Sequence, residues 1–220
     1  MSTVAEENQL DIVSIPEIAA RLSEPFTLID LVEIDDMVLS IFLCQGTLPR
    51  HRHLDQDELF LVYSGTISLE SEWGSVVLRP GELAIAPKGI AHRSSSLLHS
   101  QVLLLQPRLM VNRRNGDRCL FALKGGGRLE KVSLPAMGRQ IAVPGRPVVL
   151  AHVDTYALQM TLCEGAGPWH QSDCQQNLVF CFDGCLSVET ESYEVSLGSG
   201  ELLVIPQGVA YRLNSSERAL

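Results

Sequence analysis

"HRHLDQDELFLVYSG" (residues 51–65) decides how this chain is read. It sets two histidines one residue apart, an acid five residues after the second, and then an apolar run closed by glycine. In an extended strand, side chains two apart share a face, so His51 and His53 point the same way. Glu58 follows a short polar turn (LDQD) and opens the next strand, where it can return to the face that carries the histidines. That strand alternates Glu58, Phe60, Val62 and Ser64 on one side with Leu59, Leu61 and Tyr63 on the other.

The stretch has a second copy. GTLPRHRHLDQDELFLVYSG (46–65) recurs as GAGPWHQSDCQQNLVFCFDG (165–184), with Gly46, Pro49, His51, Gln56, Leu59 and Gly65 each matched 119 residues later. The same offset carries PGELAIAPKGIAHR (80–93) onto SGELLVIPQGVAYR (199–212) and LDIVSIPEI (10–18) onto LEKVSLPAM (129–137). One register without insertion spans about 94 positions per copy. The chain is a tandem duplication.

Within each copy, short apolar runs alternate with turn residues. TLIDLVEID, VLSIFLC, ELFLVYSG, TISLESE, SVVLRPG, ELAIAPKG and SQVLLLQP are of strand length and rich in aliphatic and β-branched residues. Gly74, Pro80-Gly81 and Pro87-Lys88-Gly89 punctuate them. Only 15–23 and 134–142 carry helical spacing, as a short N-terminal helix in each repeat. The pattern predicts an all-β barrel or double-sheet jelly roll in each half. The expected units are an N-terminal barrel (1–107), a polar, basic, glycine-rich linker (108–127) and a C-terminal barrel (128–220). Leu220 corresponds to Gln101, so the second copy has no match for VLLLQP at 102–107. Its barrel is expected to lack or borrow a strand, and a homo-oligomer (dimer) would cover the edge.

Of the 220 residues, 45% are hydrophobic, enough for sizeable packed cores, and the net charge of −9 argues against nucleic acid or anionic membrane as partner. No apolar run approaches the roughly 20 residues of a membrane span. The first residues are acidic and do not read as a secretory signal, and six cysteines without a C-x-x-C pair read as reduced thiols. Both point to the cytoplasm. No glycine-rich phosphate loop, G-x-S-x-G elbow, H-E-x-x-H or helix-turn-helix appears.

His92 follows a further hairpin and the Pro-Lys-Gly turn, which can aim it into the barrel that holds His51, His53 and Glu58. Three imidazoles and one carboxylate suit a divalent transition metal. The first copy resembles the cupins, whose motifs are G-x5-H-x-H-x3–4-E-x6-G and G-x5-P-x-G-x2-H-x3-N. Gly46, His51, His53, Glu58 and Gly65 fit the first, with one residue fewer between Gly46 and His51. Gly81, Pro87, Gly89 and His92 fit the second, with Ser96 where asparagine is usual. The resemblance extends over both copies and implies a bicupin, with a jelly-roll barrel in each half and one Fe, Mn, Ni, Zn or Cu ion in the site. It implies a small-molecule substrate or ligand. The chemistry is then that of a dioxygenase or of a Lewis-acid isomerase, lyase or decarboxylase; a non-enzymatic binding protein is the remaining class. No general base stands on the inward face of the motif strand, which favours redox chemistry or pure binding over proton abstraction.

In the second copy, His51 becomes His170, but His53 becomes Ser172, Glu58 becomes Asn177 and His92 becomes Tyr211. That set lacks the charge and donors for a metal held the same way. It reads as a barrel kept for packing, or as an organic-ligand pocket of His170, Ser172, Asn177, Asp183 and Tyr211 with Trp169 at its mouth. A thiolate site of Cys174, Cys181 and His170 is a further option. Cys44 and Cys163 read as core, His99 as surface and His152 as structural. Arg93 and Arg212 match across the repeat and suggest a shared salt bridge. Arg50 and Arg52 face away from His51 by parity and could steer an anion.

Overall fold

The computed structural model describes residues 10–109, 113–115 and 127–220. The first repeat runs β1 (Val13–Ser14), α1 (Ile15–Ala19), β2 (Leu28–Ile34), β3 (Met37–Thr47), β4 (His51–His53), β5 (Glu58–Ser64), β6 (Ile67–Ser71), β7 (Gly74–Leu78), β8 (Glu82–Ala86), β9 (His92–Pro107) and β10 (Arg113–Asn115). The second runs β11 (Lys131–Ser133), α2 (Leu134–Gln140), β12 (Val148–Val153), β13 (Tyr156–Met160), β14 (Cys163–His170), β15 (Asn177–Phe180), β16 (Cys185–Thr190), β17 (Glu194–Gly198), β18 (Glu201–Ile205) and β19 (Tyr211–Ala219). The chain is all-β, as the alternation of short apolar runs and turns predicts. The two helices are shorter than their sequence spacing suggests. Each starts on a proline at its first turn, which presets the helical φ.

Alternating faces build two interiors. Phe42, Phe60, Val62, Leu69 and Leu104 fill the first barrel, and Val179, Cys181, Val188, Leu197 and Ile205 fill the second. The outer faces of both barrels meet in an apolar seam, with Leu83, Leu134 and Met160 on one side of it and Ile15, Ile41 and Leu202 on the other.

The halves exchange their leading segments. β1 pairs with β18 of the second repeat, and β11 pairs with β8 of the first; Val13 opposite Leu202 and Val132 opposite Leu83 are the same contact made twice. Leu10 accordingly packs in the second interior and Leu129 in the first. The seam is tight at the turns that open β8 and β18. Gly81 (φ +74°) faces Pro135, and Gly200 (φ +85°) faces Pro16, so a Cβ at either would lie 2.9 or 3.2 Å from the proline ring. The residue boundaries read from the sequence therefore do not separate two self-contained sheets.

The run expected as a strand at 100–107 is the second half of one long strand, β9, which starts at His92. That half lies between β3 and β5. In the second repeat, among the described residues, β13 pairs with β12 and β15 with β18, and no strand lies between β13 and β15. Within the segment expected as linker, β10 lines up along β4, opposite His51 to His53. Arg108 forms an ion pair with Glu33, while Arg118 and Cys119 lie outside the described residues.

Candidate metal centre

Strand pairing assembles the four residues. His51 lies directly opposite His92 across β4 and β9, His53 follows on the same face, and Glu58 opens β5. All four are buried, with exposures of 3%, 5%, 3% and 1% for His51, His53, Glu58 and His92. One potential ligand atom from each comes within 4.8 Å of the other three. Oε2 of Glu58 lies 2.7 Å from Nε2 of His92, 3.1 Å from Nε2 of His53 and 3.9 Å from Nε2 of His51.

The imidazoles are oriented for coordination. Nδ1 of His51 stands 3.0 Å from the Pro49 carbonyl and Nδ1 of His92 3.0 Å from the Ile90 carbonyl. A carbonyl only accepts, so each Nδ1 carries a proton and Nε2 is the ring nitrogen turned to the centre. Burial by itself pushes the Glu58 carboxyl up, but the adjacent His53 and His92 imidazoles outweigh it and hold the group at about 2. The short approaches lack hydrogen-bond geometry: Glu58 Oε2, His92 Nε2 and both ring nitrogens of His53 are buried without a hydrogen-bond partner. Each such orphan costs about 1–3 kcal/mol, and several gathered at one point fit a bound cation as their common partner.

The walls are apolar. Phe60 and Val62 continue the Glu58 face into the interior, and Phe60 sets its edge against the His92 ring at a centroid distance of 5.9 Å. Cys44 is fully buried in the same interior; burial pushes its thiol up to about 11, with Ser94 pulling the other way. Arg52 departs from the exposed role its parity suggests. It is 3% exposed, with its guanidinium 3.4 Å from both Glu72 and the Gly89 carbonyl.

Residues 40–104, which include all four potential ligands, match the cupin domain family. The chain carries a cupin domain. It is 27% identical over 90 residues (40% of this chain, 80% of the relative) to the uncharacterized protein YdbB of Bacillus subtilis (strain 168). Over 96% of this chain and 82% of the other, the fold matches the salicylate 1,2-dioxygenase of Pseudaminobacter salicylatoxidans, with a TM-score of 0.71 at 13% identity. A cupin 2 conserved barrel domain protein from Leptotrichia buccalis matches over 97% and 95%, with a TM-score of 0.68 at 9% identity. At these identities the likeness concerns the fold, and it takes in both repeats.

The second barrel keeps the cupin scaffold and changes its contents. His170 lies opposite Tyr211 as His51 lies opposite His92, with ring centroids 5.7 Å apart. Asn177 and Tyr211 line a cavity of about 310 Å³ that opens between β13 and β15, and His170 lines an adjoining hollow of about 330 Å³ beside Arg146 and Glu164; Thr161, Cys163 and Leu213 line both. The Ser172 hydroxyl accepts from Gln175 N within its own turn, and Asp183 is exposed. Trp169 is half-exposed under the Arg212 guanidinium, 5.1 Å from its ring centre. Cys174 is exposed while Cys181 is fully buried, its thiol pushed up to about 11 chiefly by burial. Among the described residues no second group of three or more His, Cys, Asp or Glu side chains gathers at one point. Cys44 and Cys163 are core, His99 is surface, and His152 is exposed on β12.

Proposed function

We propose that His51, His53, Glu58 and His92 hold one divalent transition metal and that the protein is a metal-dependent dioxygenase for a small organic substrate. The observation that carries this reading is the convergence of four buried ligand atoms within 4.8 Å of one another, three of which, His53 Nε2, Glu58 Oε2 and His92 Nε2, have no hydrogen-bond partner. Held by these four residues, such an ion would supply a Lewis-acidic, redox-capable centre.

The chain's own residues define what happens around that centre. Glu58 stays anionic and offsets half the charge of a dication. His51 and His92 are held by their Nδ1 contacts with Nε2 turned to the centre. Phe60 and Val62 keep the wall dry. The Cys44 thiol remains protonated at neutral pH and is no base. With no proton acceptor beside the ligands on the motif strand, oxidative chemistry is favoured over proton abstraction.

On this reading residues 1–107 form the metal-bearing unit, 108–127 join the repeats, and 128–220 form a supporting unit. The ligand capacity of the second unit, at His170, Ser172, Asn177 and Tyr211, is separate from the metal. The same reading takes the protein as a cytoplasmic homodimer; among the described residues, five free thiols and the edge of β13 that pairs with no second strand support it. No helix of the described residues is long and apolar enough to cross a membrane.

The test is metal analysis of purified protein, followed by O₂ uptake against hydroxylated aromatic acids, catechols, enols and thiols. The aromatic acids come first because one protein of the same fold is a salicylate 1,2-dioxygenase. Iron with substrate-dependent uptake supports the proposal. Zinc or nickel without uptake moves the protein to a Lewis-acid isomerase, lyase or decarboxylase, or to a binding protein.

A further inference from the structure

The loop between His53 and Glu58 is held from the other repeat. Asp154, at the tip of the β12–β13 turn, accepts a hydrogen bond from Asp57 N at 3.2 Å, and Asp57 Oδ2 accepts from Asp154 N at 3.1 Å. Asp57 passes the constraint on, since its Oδ1 accepts from Lys88 N at 2.9 Å. The next residue, Gly89, donates its N–H to the His53 carbonyl at 2.6 Å. Lys88 Nζ lies 3.4 Å from Asp154 Oδ1 and offsets the charge of the two facing carboxylates. One clasp thus ties together the residue before Glu58, the backbone of His53 and the turn that leads into His92.

The repeat supplies its own comparison. Asp35 occupies the same turn tip in the first repeat, and both tip residues adopt left-handed backbone, φ 52° at Asp35 and 49° at Asp154. Asp35 N donates to Gln176 Oε1 at 2.8 Å, and Gln176 N donates to Asp35 Oδ2 at 3.2 Å. Gln176 is the counterpart of Asp57 and precedes Asn177, where the second barrel has no carboxylate. The two clasps are one contact made in both directions, and only the one from the second repeat to the first ends on a set of potential ligands.

We infer that Asp154 of the second repeat is a positioning residue for the metal centre of the first. The inference rests on the proposed metal site and adds a role for the barrel that lost its ligands. Asp154 touches none of the four ligand side chains; it acts through Asp57 and the Pro87–Gly89 turn. Partners beyond the ligands typically change metal affinity by about 10–100-fold.

The experiment compares Asp154→Ala, Asp154→Asn and Asp35→Ala in the full chain. Zn²⁺ affinity is measured by competition with a fluorescent chelator, and the Co²⁺ absorption spectrum reports ligand geometry. Thermal unfolding of the metal-free proteins gives the structural cost of each change. Asp154→Ala should weaken Zn²⁺ binding by about tenfold or more and alter the Co²⁺ spectrum. Asp35→Ala should lower the unfolding temperature comparably with wild-type affinity. Asp154→Asn, which keeps an acceptor oxygen, should recover most of the affinity. Equal weakening by Asp154→Ala and Asp35→Ala, or none by either, overturns the inference. Failure of the wild-type chain to bind either ion overturns the metal reading itself, which is a different result.

Discussion

Arg93 sets Nη2 2.7 Å from Oε2 of Glu70, and 119 residues further on Arg212 meets Glu189 at the same separation. Each pair links the strand that starts at the fourth ligand position to its neighbour, β9 to β6 and β19 to β16. The residue before each arginine differs: His92 in one barrel, Tyr211 in the other. The bridge has outlasted the ligand, so it belongs to the sheet and not to the metal.

Arg93→Ala and Arg212→Ala should therefore behave alike. These side chains are 41% and 30% exposed, and pairs of this kind contribute under about 1 kcal/mol. Urea unfolding should show losses of that size for both, with metal content unchanged in both.

His53→Ala and Ser172→Ala sit at matched positions and should behave differently. Removing a ligand from a buried four-donor set should take the bound metal from about one per chain to near none, as read by plasma emission spectroscopy. Ser172→Ala should leave it unchanged. Equal loss in the two variants would contradict the asymmetry between the barrels.

Tyr156 gives a pH dependence. Its hydroxyl donates to Asp36 Oδ1 at 2.8 Å; burial, then Asp36 and Asp35, push the phenol well above its ordinary value of 10.0. A group whose folded value is raised stabilises fully below its unfolded value and loses that contribution as the pH climbs. The stability advantage of wild type over Tyr156→Phe should be constant near neutrality and shrink above about pH 10. Chemical denaturation at stepped alkaline pH would reveal it.

Thiol labelling should divide the five cysteines among the described residues. Cys174 and Cys185 are exposed, whereas Cys44, Cys163 and Cys181 are buried with thiol values raised by that burial. A maleimide at pH 7 should modify the first two in folded protein, and the buried three only in denaturant. Labelled peptides identified by mass spectrometry provide the check.

Much of this was legible in the chain itself. The fixed offset between repeats, the strand alternation and the His-x-His spacing are local or periodic signals, and the structure brings His51, His53, Glu58 and His92 together as those signals imply. What escaped is non-local. Nothing near Val13 or Val132 says that each pairs with the opposite repeat, because a two-residue strand has no pattern of its own. The parity that turned Arg52 away from the interior was sound, but it did not say that Glu72 and the Gly89 carbonyl wait on the outer side. Nothing in the polar turn that holds Asp57, nor in the sequence around Asp154, says that the fold puts the two face to face.

The exchange of β1 and β11 has a consequence for how such a chain can diverge. A single-repeat protein making the same exchange would be a symmetric dimer, and every substitution would appear in both subunits at once. Fusing the copies end to end keeps the mutual embrace while releasing each half from the other's sequence. One half can then shed its ligands without the other following, and neither can be cut away without taking an edge strand from its neighbour. Specialisation and interdependence arise here from the same swap.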